Sequence, residues 1–301
     1  MTLTQRPRRS ALYMPASNAR AVEKARTLPC DVVILDLEDA VATEAKNDAR
    51  QAAVAAVRAG GFGHREVVVR VNGLETAWGE ADLEAMVEVA PDAILVPKIR
   101  GPGDVHLYDR AMARAARTTR LWAMIETVQV ILQLEAVAAT AGGTRLAAMV
   151  LGMNDLAREM GARQTADRAA FHFAMSTTVT AARVSGLVAL DSVHNEIDDL
   201  GALEAVCRQG ADFGFDGKSV IHPSHLGICN RIFGPSAEDL VWARAVIEAF
   251  DAPENIGKGV LRVHGRLAEA LHRDQALRLV GLATAISAAE AASLASGRPP
   301  V

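Results

Sequence analysis

Met124-Ile125-Glu126-Thr127 and Val150-Leu151-Gly152-Met153-Asn154-Asp155 decide how this chain is read. Each begins in a run of apolar residues and delivers a carboxylate where that run ends. Continuous apolar runs of this kind read as strands buried on both faces, the habit of parallel sheets. The two acids are about 30 residues apart, the length of one strand–helix–strand unit. That spacing places Glu126 and Asp155 at the same end of neighbouring parallel strands. Two carboxylates so placed can share a hard divalent cation, with water and substrate oxygens filling its other positions. The expectation is a Mg²⁺ site, for which Mn²⁺ can substitute. The plainer alternative is a pair of solvated or helix-capping acids.

Working outward, the same alternation recurs along the chain. Strands are expected at residues 10–15, 31–37, 67–71, 93–96, 121–125, 146–151, 187–190 and 213–220. Helices are expected between them, at 19–27, 43–59, 78–89, 104–116, 128–139, 167–184 and 200–209. The strand ends recur about every 30 residues, as in repeated βαβ units, and eight such units point to an α/β fold, a (β/α)8 TIM barrel. A doubly wound sheet is the alternative. It gathers its ligand residues at one switch point, usually beside a Gly-rich first turn. Here the first turn, Met14-Pro15-Ala16-Ser17-Asn18, is not Gly-rich, and polar residues follow nearly every strand. Residues 8–250 are therefore read as the catalytic barrel, with a helix at 236–250 near its end. Residues 251–301 are read as a linker (251–260) and a C-terminal helical segment with an Ala-rich helix at 265–296. That segment is too small to fold alone, and it can pack on a neighbouring subunit.

Composition agrees with a barrel. Of 301 residues, 50% are hydrophobic and only 4% aromatic, so the core must be Ala, Val, Leu and Ile. A net charge of −4 argues against bulk nucleic-acid binding and gives no attraction to a membrane surface. No apolar run is long enough to span a bilayer. Arg6, Arg8 and Arg9 are not followed by the apolar stretch of a secretory signal. Cys30, Cys207 and Cys229 form no CxxC pair and read as buried thiols of a reducing compartment. A cytoplasmic location is the expectation.

Further motifs surround the two acids. Asp36-Leu37-Glu38-Asp39 is the densest acid cluster, and three close carboxylates need a cation, an arginine or a retained proton. Glu38 or Asp39 is expected to hold metal-bound water and orient basic groups, unless the cluster merely decorates a helix start. Arg70-Val71-Asn72 points Arg70 and Asn72 to one face. A guanidinium there suits a substrate carboxylate or an enolate oxygen, or else a structural ion pair with the DLED acids. Lys98 and Lys218 stand at strand ends, where either could be a Schiff-base amine. Gly217-Lys218-Ser219 is no P-loop, because Asp212 occupies the position that needs glycine. His222 reads as structural, and Asp191 and Ser192 as lesser site candidates. Arg9, Ser10 and Lys24 form a small basic group, either a solvated face or a seat for coenzyme phosphates.

These motifs in this order resemble the HpcH/HpaI aldolase/citrate lyase superfamily, in its citrate lyase beta-subunit-like branch with malyl-CoA and citramalyl-CoA lyases. The resemblance rests on Arg9–Pro15, Asp36–Val41, Arg70-Val71-Asn72, Pro97-Lys98, Ile125-Glu126-Thr127, Gly152–Leu156 and Gly217–Pro223. It implies a Mg²⁺-dependent carbon–carbon lyase that cleaves or forms a 3-hydroxyacyl thioester such as malyl-, citramalyl- or citryl-CoA, with a 2-oxo acid and an acyl-CoA as partners. It implies metal binding by Glu126 and Asp155, substrate binding by Arg70, and support of the metal and its waters by Glu38 and Asp39. It places Arg9 and Lys24 near the thioester carrier, and it implies a homotrimer or hexamer. Many members carry a C-terminal aspartate that acts across a subunit boundary, and Glu269 stands in its place here. Asn72 and Lys98 complete the expected substrate-binding set. A class II aldolase acting on free 2-oxo acids, and a non-catalytic acyl-CoA-binding paralogue, are the rival readings.

Overall fold

The structure is a computed structural model that describes residues 6–295. Eight strands alternate with helices: β1 (Ser10–Pro15), β2 (Val32–Asp36), β3 (Glu66–Arg70), β4 (Ala93–Val96), β5 (Arg120–Ile125), β6 (Leu146–Leu151), β7 (Val188–Asp191) and β8 (Gly217–Val220). They close into one barrel in chain order, each parallel to its neighbours, with β8 returning to β1. The expected (β/α)8 TIM barrel is the fold.

The apolar runs become strands because both their faces are covered. The barrel interior is filled by Ala11, Val32, Ile34, Val68, Leu95, Trp122, Val150 and their neighbours, all close to fully buried. Closure needs one glycine in particular. A Cβ on Gly217 would lie 1.9 Å from the backbone oxygen of Arg8, so β8 can approach that segment only without a side chain.

Several boundaries differ from the sequence reading. The helix Leu200–Phe213 runs further than expected, so β8 starts only at Gly217. The expected helix at 167–184 begins at His172, after a short 3-10 turn over Ala169–Phe171. The last helix covers Ala270–Ala295 and is preceded by an antiparallel hairpin, β9 (Val260–Val263) and β10 (Arg266–Glu269). The two residues between those strands, His264 and Gly265, have φ of 46° and 80°. A two-residue loop with positive φ at both positions matches the twist of a hairpin, and His-Gly supplies it.

The chain divides into two compact units, Arg8–Asn230 and one that begins at Arg231 and takes in Arg6 and Pro7. The helix Ala237–Asp251, assigned from sequence to the barrel, thus belongs to the second unit. That unit has its own core, in which Ala243, Val246, Val263, Ala268 and Ala276 are buried. Among the described residues, no helix is long and apolar enough to cross a membrane. All three cysteines are buried and free.

Candidate active site

A cavity of about 290 Å³ opens at the C-terminal ends of the barrel strands, lined among others by Tyr13, Asp39, Arg70, Glu126 and Asp155. The barrel itself accounts for the position, since each strand end delivers its next residue there.

Glu126 follows β5 directly and is 1% exposed. Its Oε1 accepts the backbone N–H of Lys98 at 2.8 Å. Burial, with the charge of Glu38 next, pushes its carboxyl up to about 7. Asp155 arrives differently from the sequence reading. β6 ends at Leu151, and Asp155 stands in the first turn of the helix Met153–Met160. Its carboxylate pairs with Arg158. Asp155 lines the same cavity as Glu126, and its charge is one of those that raise the Glu126 carboxyl. The two acids therefore face one space, from strand positions paired in register as Ile125 with Leu151.

Gly152 makes room for them. A Cβ there would lie 2.7 Å from both the Cβ and Oε2 of Glu126, and 2.9 Å from Met124 Cε. Its φ of −114° suits any residue, so the requirement for glycine is purely steric. Gly152→Ala is expected to displace Glu126 and lower turnover by about 100-fold, the scale of a 1 Å misplacement at a reacting centre. Thermal unfolding measured alongside activity should show the fold retained.

Arg70 ends β3 and is 7% exposed. Its Nε and Nη2 donate to the two oxygens of Asp36 at 2.7 and 2.6 Å. Its Nη1 lies 2.8 Å from Glu38 Oε2 and donates to Asp39 Oδ2 at 3.3 Å. The guanidinium sits 4.9 Å above the Tyr13 ring. The structural ion pair and the cavity-lining position thus coexist in one side chain. Asp36 in turn accepts the backbone N–H groups of Glu38 and Ala40 at 2.9 and 3.1 Å. Lys46 Nζ donates to the carbonyls of Leu37 and Glu38 at 2.9 and 2.6 Å. Asp36, read from sequence as one of the DLED acids and a partner for Arg70, and Lys46, which was not expected, together hold the loop that carries Glu38 and Asp39. A lysine at the opening of a helix, where the macrodipole disfavours a cation, was the available signal for Lys46.

Burial, the largest influence on Glu38, raises its carboxyl despite Arg70 and Lys98. For Asp39 burial also works upward, but Arg70 and the surrounding hydrogen bonds outweigh it and hold the carboxyl low. The site therefore places a buried acid held between Arg70 and Lys98 beside an exposed one that stays ionised.

Other expected residues lie elsewhere. Arg9 precedes β1, at the end of the barrel opposite the cavity, and its guanidinium holds Asp31 with two contacts of 2.9 Å. Strand direction thus separates Arg9 from the strand ends that line the cavity. Lys24 is exposed in the last turn of the helix Ala19–Ala25. Asn72 donates to Asp82 Oδ2 at 2.6 Å and to the Leu37 carbonyl at 2.8 Å, so its amide N–H groups are turned to the scaffold. Glu269 ends β10 in the second unit, where its N–H donates to His272 Nδ1 at 2.9 Å.

Lys98 ion-pairs with Glu38. Burial works to lower its ammonium, but Glu38 outweighs it and the amine is held above its ordinary range, which keeps it protonated. Lys218 is 1% exposed and donates to Asp191, which also binds Arg168 at 2.8 Å. Burial would raise the Asp191 carboxyl, but Lys218 and Arg168 hold it low. Both lysines are therefore committed to carboxylates rather than poised as Schiff-base nucleophiles.

Among the described residues, no three His, Cys, Asp or Glu side chains gather into a group able to enclose a metal ion. Glu126 and Asp155 bring two carboxylates to one confined space, with Asp39 also on its wall. That set suits a hard cation that keeps several positions for water and substrate.

Known proteins carry the same arrangement of chain. The family model for HpcH/HpaI aldolase/citrate lyase matches residues 9–223. A (3S)-malyl-CoA thioesterase of Cereibacter sphaeroides is 44% identical over 94% of this chain and 96% of its own. The human mitochondrial citramalyl-CoA lyase is 31% identical over 93% of this chain and 86% of its own. The crystal structure of protein CitE from Mycobacterium tuberculosis, in complex with magnesium, acetoacetate and coenzyme A, superposes with a TM-score of 0.75 at 30% identity, covering 94% of this chain and 100% of that one. With the barrel in hand and nearly the whole chain aligned to these relatives, the chain belongs to the HpcH/HpaI aldolase/citrate lyase family.

Proposed function

We propose that this chain is a Mg²⁺-dependent enzyme acting on a malyl-type CoA thioester, and that its net reaction is hydrolysis of that thioester. The observation that carries the reading is the cavity in which Glu126 and Asp155 face one space beside Arg70 and Asp39. Its volume of about 290 Å³ suits the short acyl end of the substrate, leaving the coenzyme outside. Hydrolysis leads because the relative at 44% identity is a thioesterase. Carbon–carbon cleavage to a 2-oxo acid and an acyl-CoA is the second reading, favoured by the lyase at 31%.

Glu126 and Asp155 would hold the ion, which when bound supplies Lewis-acid polarisation of substrate oxygens. The chain's own residues then divide the remaining work. Arg70 presents positive charge to the cavity wall, where negative charge develops on an oxygen. Asp39, ionised and on that wall, accepts a proton: from attacking water in hydrolysis, or from the substrate hydroxyl in carbon–carbon cleavage. Glu38 balances Arg70 and Lys98 and fixes both. Glu269 would act as a further acid across a subunit boundary, within a homotrimer or hexamer.

The test is direct. (3S)-malyl-CoA is supplied with Mg²⁺, and free coenzyme thiol and 2-oxo acid are recorded separately. Thiol without 2-oxo acid supports hydrolysis, and 2-oxo acid with acetyl-CoA supports the lyase reading. Neither product, or full turnover in EDTA, refutes the proposal.

Metal binding carries a pH signature. The Glu126 carboxyl is pushed up to about 7 and must ionise to ligate. Mg²⁺ affinity is therefore expected to rise with pH up to about 7, with a proton released on binding below it. Calorimetry in buffers of different ionisation enthalpy measures that proton.

A further inference from the structure

We propose that Lys98 is a positioning residue that spaces the two buried acids Glu126 and Glu38 through two separate handles, its backbone N–H and its ammonium. The inference rests on the metal-dependent reading above and adds a residue to it. The first handle is the amide, which donates to Glu126 Oε1 at 2.8 Å. It is aimed by an unusual backbone. Lys98 has φ of 50°, the left-handed region, directly after β4 and Pro97. A side chain there is strained unless the surroundings enforce the conformation. The second handle is Nζ, which pairs with Glu38 Oε1 and lies 3.9 Å from Asp39 Oδ1.

The two handles solve one physical problem. Glu126 and Glu38 are 1% and 7% exposed, and the charge of Glu38 raises the cost of charge on Glu126. A residue that donates to one with its backbone and neutralises the other with its side chain fixes both carboxylates at once. Glycine would tolerate the turn more easily but would have no ammonium. That lysine occupies a position favouring glycine is explained by the need for both handles.

Two variants separate the handles. Lys98→Gly keeps the N–H and relaxes the turn while removing the ammonium. Lys98→Val also removes the ammonium and, being β-branched, resists positive φ and so shifts the N–H. For Lys98→Gly we expect kcat on (3S)-malyl-CoA to fall by about 10–100-fold, the usual effect of losing a group that orients a metal ligand. KM should change little, and Mn²⁺ affinity, read by electron paramagnetic resonance on the protein with Mn²⁺ alone, should stay near that of the parent. For Lys98→Val both kcat and Mn²⁺ affinity should fall by about 10–100-fold. Lys98→Arg should recover part of kcat. The thermal midpoint of the glycine variant should match or exceed the parent's, which confirms its fold.

Several results overturn the proposal: a glycine variant with parental kcat, a valine variant with parental Mn²⁺ affinity, a rise in KM at constant kcat, or a borohydride-trapped adduct on Lys98. Should the parent enzyme leave malyl-CoA untouched, the functional reading fails. The Mn²⁺ comparison still decides whether Lys98 positions Glu126.

Discussion

Glu126→Gln is expected to lower turnover of a malyl-type thioester by at least about 10³-fold while leaving the metal-free protein as stable as the parent or more so. The activity loss follows from removing a ligand of the ion whose Lewis acidity is worth several kcal/mol, each 1.36 kcal/mol being tenfold in rate. The stability gain follows from the same burial that makes the site work. Glutamine keeps the shape and can still accept the Lys98 N–H, but it has no charge to desolvate. Below the ordinary value of 4.5 the carboxyl is neutral in both folded and unfolded chains, so Glu126 contributes nothing. Between 4.5 and about 7 the unfolded chain ionises while the folded one retains its proton, so the parent loses stability. Above about 7 both are charged and the deficit is constant. The variant has no such loss, so its advantage should open across that window and then hold level. Denaturant titrations at pH 4, 6 and 8 without metal measure it, and an advantage that shrinks as pH rises would contradict the burial argument. A variant that turns over malyl-CoA at the parental rate would end the metal assignment.

The barrel and the placement of Glu126 and Asp155 at one end of it were legible in sequence because each rests on a repeating physical signal. Buried parallel strands must be apolar on both faces, and their ends must deliver polar groups to one side. The expected set fails where function depends on direction rather than composition. Arg9 and Arg70 look alike as arginines beside apolar runs, yet Arg9 begins its strand and Arg70 ends one, so only Arg70 reaches the cavity. Asn72 shares the Arg70 motif, but Asp82, from the following helix Gly79–Val89, takes its amide. No local pattern announces that partner. Asp155 was read as the end of a strand, but the geometry that matters is set by the helix start after Gly152. The left-handed backbone of Lys98 left no trace in composition, because the residue is not glycine.

Arg70→Leu is expected to destabilise the barrel unit by about 3–5 kcal/mol, the cost of leaving one member of a buried ion pair alone. For a domain of this size that is roughly 6–20 °C in thermal midpoint. Arg70 serves three acids. Asp36, with its side chain 1% exposed, receives both arms of the fork, and Nη1 faces Glu38 and Asp39. Without the guanidinium, Asp36 keeps only its two backbone N–H donors, and Glu38 keeps Lys98. Arg70→Lys should recover little, because a point charge cannot reproduce the two parallel bonds to Asp36. A double variant, Arg70→Leu with Asp36→Asn, should regain a large share of the loss, since removing both partners spares the chain an uncompensated buried charge. Asparagine at 36 has one oxygen where the aspartate uses Oδ1 for the Glu38 N–H and Oδ2 for the Ala40 N–H, so the loop should keep one of its two anchors. Catalysis should not return with stability, because the positive charge on the cavity wall is gone. A single variant as stable as the parent would show that Arg70 contributes charge to the cavity without organising the acids around it. A double variant no more stable than the single one would place the loss in packing against Tyr13 instead.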